Sequence, residues 1–500
     1  MPRHGRWRAQ SAGLPGDRAW RYGRRAAGGR RGDQPVTAPF DVAIIGAGPA
    51  GMAAAVMARK QGLSCVVFDE AGRPGGQIYR AVTERPERDR QDILGPDYYA
   101  GLDLVEAFQR SGAEHRAGTM VWSIAEGEIH WRSRSGSGVT FARRIVAAAG
   151  AMERPFPLRG WTLPGVMTAG AAQILLKSAG LVEDDIVFVG CGPLLYLVAA
   201  QYCRAGHPPR LIIETTPRGN LGAALPHLPR ALLAARYLFK GLGLIRELRA
   251  AGVRIERGVE QVELEGEDAI RGARWRIGGR WQRADTGRVA LHQGVVPNVN
   301  LAMALRCRHL WDERQRCWRP ALDEWNRSSQ PWLWIAGDEA GIAGAVSARL
   351  SGALAALDIA RDLGAIDERE RNRAGTPLRA ALGRDRAVRP FLETLYRPSD
   401  AFVVPQADDV IICRCEEVTR SEIARVVKEG AAGPNQAKGF LRCGMGPCQG
   451  RMCGHTVTET MSALSGKGQE EIGYFRQRMP IKPITTGEIA AAAPFDGEGA

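Results

Sequence analysis

The chain is poor in cysteine and poorer still in histidine, with ten Cys and eight His in 500 residues. So few cysteines exclude a disulfide scaffold. Five of them crowd between Cys413 and Cys453, which makes a reduced compartment with one local thiol centre the economical reading. Long apolar runs are missing too. The window Ile186 to Cys203 is charge-free over 18 residues, near the lower limit for a spanning helix, but Gly190, Gly192 and Pro193 break it in the middle. It reads as a short buried strand, a tight turn and a helix, so no transmembrane segment remains. Acid is scarce relative to base, 54 against 68, and the formal charge of +14 first suggests a nucleic-acid partner. Half of that excess lies in residues 1 to 38, where nine Arg face only Asp17 and Asp33. No interleaving of aromatic and basic residues continues beyond them, which excludes nucleic acid as the main partner. The tail has no apolar stretch after Arg24 and Arg25, so it is neither a secretory nor a twin-arginine signal. It reads as a basic disordered extension, with translation from near Val36 as the sharper alternative.

What is present is a globular composition, 45% hydrophobic and 24% charged, on a length that suggests about three domains. Phe40 to Ile45 is a β-branched apolar run leading into Gly46-Ala47-Gly48-Pro49-Ala50-Gly51 and an Ala-rich helical stretch to Gly62. This is the strand, glycine turn and helix of a dinucleotide fold. Gly46 serves the tight turn, Gly48 lets backbone approach a pyrophosphate, and Gly51 allows close helix packing, with the helix N-terminus facing the phosphate charge. Leu63 to Phe68 is a second strand closed by Asp69 and Glu70, one of which should accept from the ribose hydroxyls; Asp69 is favoured because it directly ends the strand.

Further on, Arg73-Pro74-Gly75-Gly76-Gln77 resembles the glycine loop that follows this acid in two-dinucleotide flavoproteins, which implies FAD rather than NAD. By the same resemblance, Ile145 to Gly150 looks like the family's strand and glycine crossing, and Trp334-Ile335-Ala336-Gly337-Asp338 like its late flavin-contacting motif. The cofactor contacts so implied are Gly46, Gly48, Pro49, Ala50, Gly51, Asp69, Glu70, Arg73, Gly75, Gly76, Gln77, Gly150, Gly337, Asp338, Gly344 and Ala345. Asp338 would meet the ribityl or pyrophosphate region, and a helix from Gly341 to Leu357 would aim its positive end at the isoalloxazine.

Ile186 to Gly190 repeats the pattern, with Gly190-Cys191-Gly192-Pro193 opening a helix and Leu211 to Glu214 as the next strand. It resembles the inserted NAD(P) domain of the same class, but Leu195 occupies the third glycine position. A vestigial site, NAD and another adenosine nucleotide all stay open. Gly165 to Ala172 resembles the segment that carries the cysteine pair of thioredoxin reductases, with Ala169 and Ala172 where those cysteines would be. Without thiolates there is no nucleophile for disulfide exchange, so a dithiol reductase is disfavoured.

Residues 361 to 409 read as a helical linker. Ile411-Ile412-Cys413-Arg414-Cys415 then runs into Thr419-Arg420-Ser421-Glu422, a capping box, and Cys443, Cys448 and Cys453 follow in glycine-rich sequence. Paired cysteines on two such loops can converge on zinc or on an iron-sulfur cluster. The stretch 411 to 490 closely resembles the bacterioferritin-associated-ferredoxin type of [2Fe-2S] domain. That resemblance implies Cys413 and Cys415 as the first pair and favours Cys448 and Cys453 as the second, with Cys443 as the alternative to Cys453. Cys65, Cys191, Cys203, Cys307 and Cys317 read as ordinary packed residues.

The fold class is therefore α/β: a Rossmann-like flavoprotein with two dinucleotide-binding domains, plus a small, mainly helical C-terminal [2Fe-2S] domain. Its parts are the extension 1–38, an FAD domain over 39–157 and 285–360, an inserted NAD(P)-like domain over 158–284, the linker 361–409, the cluster domain 410–490 and a tail 491–500. This order, with Glu153 to Pro157 and Gly160 to Val166, closely resembles the α chain of heteromeric bacterial dehydrogenases that oxidise D-hydroxyproline, opines or glycine. The resemblance implies an oxidoreductase acting on CH-NH or CH-NH2 donors. It also implies an oxidase-like β flavoprotein partner, sometimes with a small ferredoxin-like γ chain, and a place in the cytoplasm or peripherally on the inner face of its membrane. No substrate base is identifiable, since His207, His227 and His292 read as surface or packing residues. An NAD(P)H-dependent ferredoxin or nitrite-type reductase component, and a non-catalytic redox sensor or iron-handling protein, are the competing readings.

Overall fold

The computed structural model describes residues 38–84 and 91–492. The expectation for residues 1–37, and that for 493–500, lie outside the described residues. The body begins at Pro39.

Val42, Ala43 and Ile44 have no exposed surface, as expected of a parallel strand covered on both faces. The strand Phe40–Ile45 sits between Cys65–Asp69 and the carboxyl half of the long strand Gly136–Ala147, parallel to both, and Leu333–Ile335 pairs on the far side of the latter. The amino half of Gly136–Ala147 continues antiparallel with Glu128–Ser133 and then Met120–Ala125. Ile45, Asp69, Ala147 and Ile335 thus end along one edge, the position where open α/β sheets bind ligands. Helix Pro49–Lys60 packs backbone to backbone on helix Ala345–Asp362, where a Cβ on Gly352 would overlap the Ala50 carbonyl oxygen.

A second sheet has the order Arg254–Glu256, Leu211–Glu214, Val187–Cys191, Val289–Gln293, Val166–Thr168, all parallel. Val289–Gln293 therefore belongs to the inserted domain, and the boundary expected at residue 285 falls at Gly294. The run Val289 to Val296 is apolar at both ends but carries the buried His292 and Gln293 ahead of that glycine, whose φ of 82° turns the chain back to the first domain. Three antiparallel strands from Gln261 to Asp285 add a small sheet with Trp275 fully buried. The linker is helical, with Glu368–Asp385 its longest element, capped by Asp367. Helix Arg420–Lys428 starts at the expected capping box, Thr419 with Glu422. Among the described residues no helix is long and apolar enough to cross a membrane.

Candidate flavin cradle and thiol centre

Gly46 has φ 106°, and a Cβ there would meet the Ala148 carbonyl oxygen at 2.5 Å; a Cβ on Gly51 would overlap the Gly46 oxygen. Both are glycines for the fold's own sake. Gly48 is different. Its φ of −76° suits any residue, and a Cβ would meet only Gly76 Cα, at 3.8 Å. Open space above an unstrained glycine at a helix N-terminus is a cradle that a side chain would fill, and it fits a dinucleotide pyrophosphate. Gly75 N–H donates to the Ala47 carbonyl at 2.8 Å, which seats the Arg73 to Gln77 loop on the turn.

Asp69 accepts from the Ala47 N–H at 2.6 Å and the Ala71 N–H at 2.7 Å. Burial raises its pKa, opposed by those two backbone donors. Glu70 instead makes an ion pair with Lys482 at 2.8 Å, so the two acids divide between turn and surface. Arg73 pairs with Glu84 at 2.9 Å and is more than half exposed. Gln77 contributes its carbonyl to Lys177 Nζ at 3.2 Å.

Gly337 has φ 77°, with room for a Cβ denied by Ala50 at 2.8 Å. Asp338 Oδ1 accepts from the N–H groups of Ala343 and Gly344 at 2.9 and 3.0 Å. That grip keeps Gly341 to Gly344 in a loop, so the helix expected from Gly341 begins at Ala345 and runs on to Asp362.

Sequence reasoning missed two groups here. Glu339 is fully buried, accepts from the Ala149 N–H at 2.6 Å, and is pushed up to about 8 by burial. Its neighbour Asp338 drew the motif's attention. Lys177, on the helix Ala169–Ala179 that stands where a dithiol helix would, is pushed down to about 7 by burial and also donates to the Ile78 carbonyl at 3.0 Å.

In the second dinucleotide fold Gly190, Cys191 and Gly192 are all buried, and a Cβ on Gly190 would overlap the His292 carbonyl oxygen. The Cys191 thiol lies 3.2 Å from Gln293 Oε1 and 3.6 Å from the Tyr396 carbonyl. Leu195 is fully buried, and Glu214 pairs with Arg257 at 2.8 Å. His292 is no surface residue: it is buried and pairs with Glu153 at 2.7 Å, while Glu153 also accepts from the Gly170 N–H.

The C-terminal thiols gather from two loops. Cys413 and Cys453 are in hydrogen-bond contact, as are Cys415 and Cys448. The Cys413 thiol is drawn down to about 6 by Cys453, with backbone N–H groups of Gly444, Glu416 and Cys415 helping against burial, whereas Cys453 is held protonated. Cys443 lies fully buried beside Cys413 and is pushed up to about 12 by burial. Among the described residues no three such side chains close on a single point as ligands of one ion. Two thiol pairs ringed by N–H donors fit a [2Fe-2S] cluster, which Cys413, Cys415, Cys448 and Cys453 would hold as thiolates.

This centre is locked to the flavin-type domain. Asn298 N–H donates to the Gly150 carbonyl at 3.0 Å, and Asn300 Nδ2 donates to the Gln449 carbonyl at 3.2 Å, next to Cys448. Trp161 Nε1 donates to the Ile411 carbonyl at 2.8 Å. Helix Gly454–Ser465 turns Val457 and Met461 into its own domain's core and Glu459 to Arg316, a buried ion pair. His455 beside it is pushed down to about 3 by burial and stays neutral.

Fold and site together define a flavoprotein of the two-dinucleotide-fold class with a C-terminal [2Fe-2S] domain. The chain belongs to the pyridine nucleotide-disulphide oxidoreductase family, whose model matches residues 40–352, and residues 411–463 match the BFD-like [2Fe-2S] binding domain. It is 42% identical over 462 residues to an opine oxidase subunit of Agrobacterium tumefaciens (strain Ach5), covering 90% of this chain and 91% of that one. To hydrogen cyanide synthase subunit HcnB of Pseudomonas protegens it is 30% identical over 489 residues, covering 91% and 98%. The solved structure of L-proline dehydrogenase from P. horikoshii shares the fold with a TM-score of 0.66 at 20% identity, over 90% of this chain and 79% of that one.

Proposed function

We propose that the chain is the FAD and [2Fe-2S] electron-transfer subunit of a heteromeric dehydrogenase. The complex oxidises a secondary or D-amino-acid-type amine, such as an opine, D-hydroxyproline or glycine, to an imine and passes the electrons to an acceptor other than oxygen. The observation that carries this reading is the short connection from the Gly150 loop through Asn298 and Asn300 to Gln449, in a chain with alanines at 169 and 172. When bound, FAD takes up two electrons as a hydride and gives them up singly, which matches the one-electron steps of a [2Fe-2S] cluster.

The chain's residues serve that exchange by position. Asp69 holds the Gly46 turn and stands at the strand end for the ribose hydroxyls. Asp338 shapes the loop that leaves the N-terminus of helix Ala345–Asp362 facing the cradle, where its partial positive charge opposes negative charge gained on reduction. Cys413, Cys415, Cys448 and Cys453 hold the cluster, supported by their pairing, and Cys443 packs behind them. The opine oxidase relative and HcnB are subunits by name, which supports a partner here. That partner is an oxidase-like β flavoprotein, with a small ferredoxin-like γ chain in some complexes, and the assembly works in the cytoplasm. The second dinucleotide fold serves as a structural platform. Its glycine turn is buried and Glu214 is taken by Arg257, which supports electron entry from the partner rather than from a nicotinamide.

Anaerobic mixing tests the division of labour. The purified chain alone should show no bleaching of its FAD with opines, D-hydroxyproline, glycine or NADH, and the β flavoprotein should restore dye-linked amine oxidation. Stoichiometric bleaching by an amine without a partner would refute it, and rapid bleaching by NADH would favour a nicotinamide-dependent reductase.

A further inference from the structure

Residues 218–250 depart from the ordinary inside-out pattern. The segment folds into short helices, Asn220–Ala224 and Leu228–Ala231, separated by single turns, and then Ala235–Ala250. Ala224, Ala231 and Ala234 form a minor core with Val388 and Phe391 of the linker, with Leu228, Tyr237 and Leu238 packed against it. Leu244 and Leu248 are buried and Leu228, Tyr237, Leu238 and Ile245 half-buried, but the other large apolar side chains point outward. Leu221, Leu225, Leu232, Leu233, Phe239 and Leu242 are between 53% and 71% exposed, six of the fifteen large hydrophobics exposed among the described residues. Since the inner face is already filled by these alanines together with Leu244 and Leu248, the six exposed side chains are not a core left unfinished. They form an outward apolar surface of the kind that marks a contact site.

The charges around them choose the partner. Between 218 and 250 stand six cations and one acid, Glu247, which is taken by Arg204 at 2.6 Å. Asp97 and Asp385, from neighbouring elements, neutralise Lys240 and Arg236. Arg230, Arg246 and Arg249 are exposed and have no ion pair among the described residues. Leucine and phenylalanine projecting among unpaired arginines, on helices lying along the surface, is the pattern of a segment that rests in the headgroup boundary of an acidic bilayer. A sheet of anionic headgroups supplies negative charge at every position, complementary to six cations whose one neighbouring acid in the segment is already taken.

We propose that the helical plate 220–250 docks the chain on an anionic lipid bilayer, adding a surface to the cytoplasmic placement on which it rests. The test uses the full-length, flavin-loaded chain sedimented with vesicles of phosphatidylcholine mixed equally with phosphatidylglycerol, against vesicles of phosphatidylcholine alone. Binding is expected to the mixed vesicles, with loss at high salt. The double change Arg230→Gln with Arg246→Gln should weaken it roughly thirtyfold, at about 1 kcal/mol per cation near an acidic surface. Leu233→Glu with Phe239→Glu should abolish it. All four positions are exposed, so flavin content should match the parent in both variants, and either pair alone suffices for the test. Equal binding to both vesicle types, or no binding, overturns the proposal. So does a parent that self-associates by light scattering and becomes monomeric with Phe239→Glu, which would make the plate an interface between copies. Loss of vesicle binding on adding the β flavoprotein would assign the plate to that partner. No substrate is present in these measurements, so their failure leaves the redox reading intact.

Discussion

Replacing Gly48 by alanine should separate the needs of the cofactor from those of the fold. At φ −76° and ψ −176° alanine is unstrained, and its Cβ would find only Gly76 Cα, at 3.8 Å. With no clash to relieve, the substitution should leave the flavin-free protein as stable as the parent, or more so by about 0.4–1 kcal/mol through the less flexible unfolded chain. Gly51→Ala is the control. Its Cβ would overlap the Gly46 carbonyl oxygen, an overpacking cost of about 1–3 kcal/mol or more. For the cofactor the order inverts. The added methyl at Gly48 stands where backbone must approach the pyrophosphate, and each charge-assisted hydrogen bond lost is worth about 1.5–3 kcal/mol, roughly ten- to a hundredfold in flavin affinity. Heat-released flavin per mole of purified protein, the dissociation constant from fluorescence quenching and the melting temperature of the flavin-free forms decide it. If Gly48→Ala keeps the parent's flavin affinity, the cradle is misplaced. If its flavin-free form melts as low as that of Gly51→Ala, the free space above Gly48 is not real.

Single Cys→Ser changes at Cys413, Cys415, Cys448 or Cys453 should remove or strongly alter the cluster's visible absorption and its paramagnetic signal on reduction, while Cys443→Ser keeps both. A normal cluster in Cys453→Ser with loss in Cys443→Ser would exchange the two. Glu339, with its pKa raised from 4.5 to about 8, binds a proton in the folded state that the unfolded chain has already released. Its contribution to stability is therefore full below about 4.5 and is lost as pH rises through about 8, so Glu339→Gln should flatten the fall in melting temperature between those values. An unchanged pH profile in that variant would show that Glu339 ionises freely. Glu459→Ala leaves Arg154 buried without its carboxylate and Arg316 with Asp400 alone, which should cost about 3–5 kcal/mol and expose the cluster domain to limited proteolysis; a melting temperature within a degree or so of the parent would argue otherwise.

Local chemistry made much of this protein legible. The turn at Gly46 to Gly51, the strand-ending Asp69, the capping box at Thr419 and the absence of thiols at Ala169 and Ala172 are all set by neighbours within a few residues, where spacing and side-chain type carry the information. The tertiary structure decided what depends on distant partners. The domain boundary moved to Gly294 because Val289–Gln293 pairs with Val187–Cys191, a hundred residues earlier in the chain. Glu70 pairs with Lys482, more than four hundred residues away. Glu339 owes its raised pKa to burial, which outweighs the Ala149 N–H that it accepts, and Lys177 reaches the flavin loop from a helix a hundred residues on. The five C-terminal cysteines show the division most clearly. Their spacing announced a thiol centre and left Cys443 and Cys453 interchangeable, since four residues separate each of them from Cys448. Their pairing follows from which loop faces which, and the loops meet over the domain's own core of Ile412, Ile423, Val457 and Met461, contacts that no local pattern encodes.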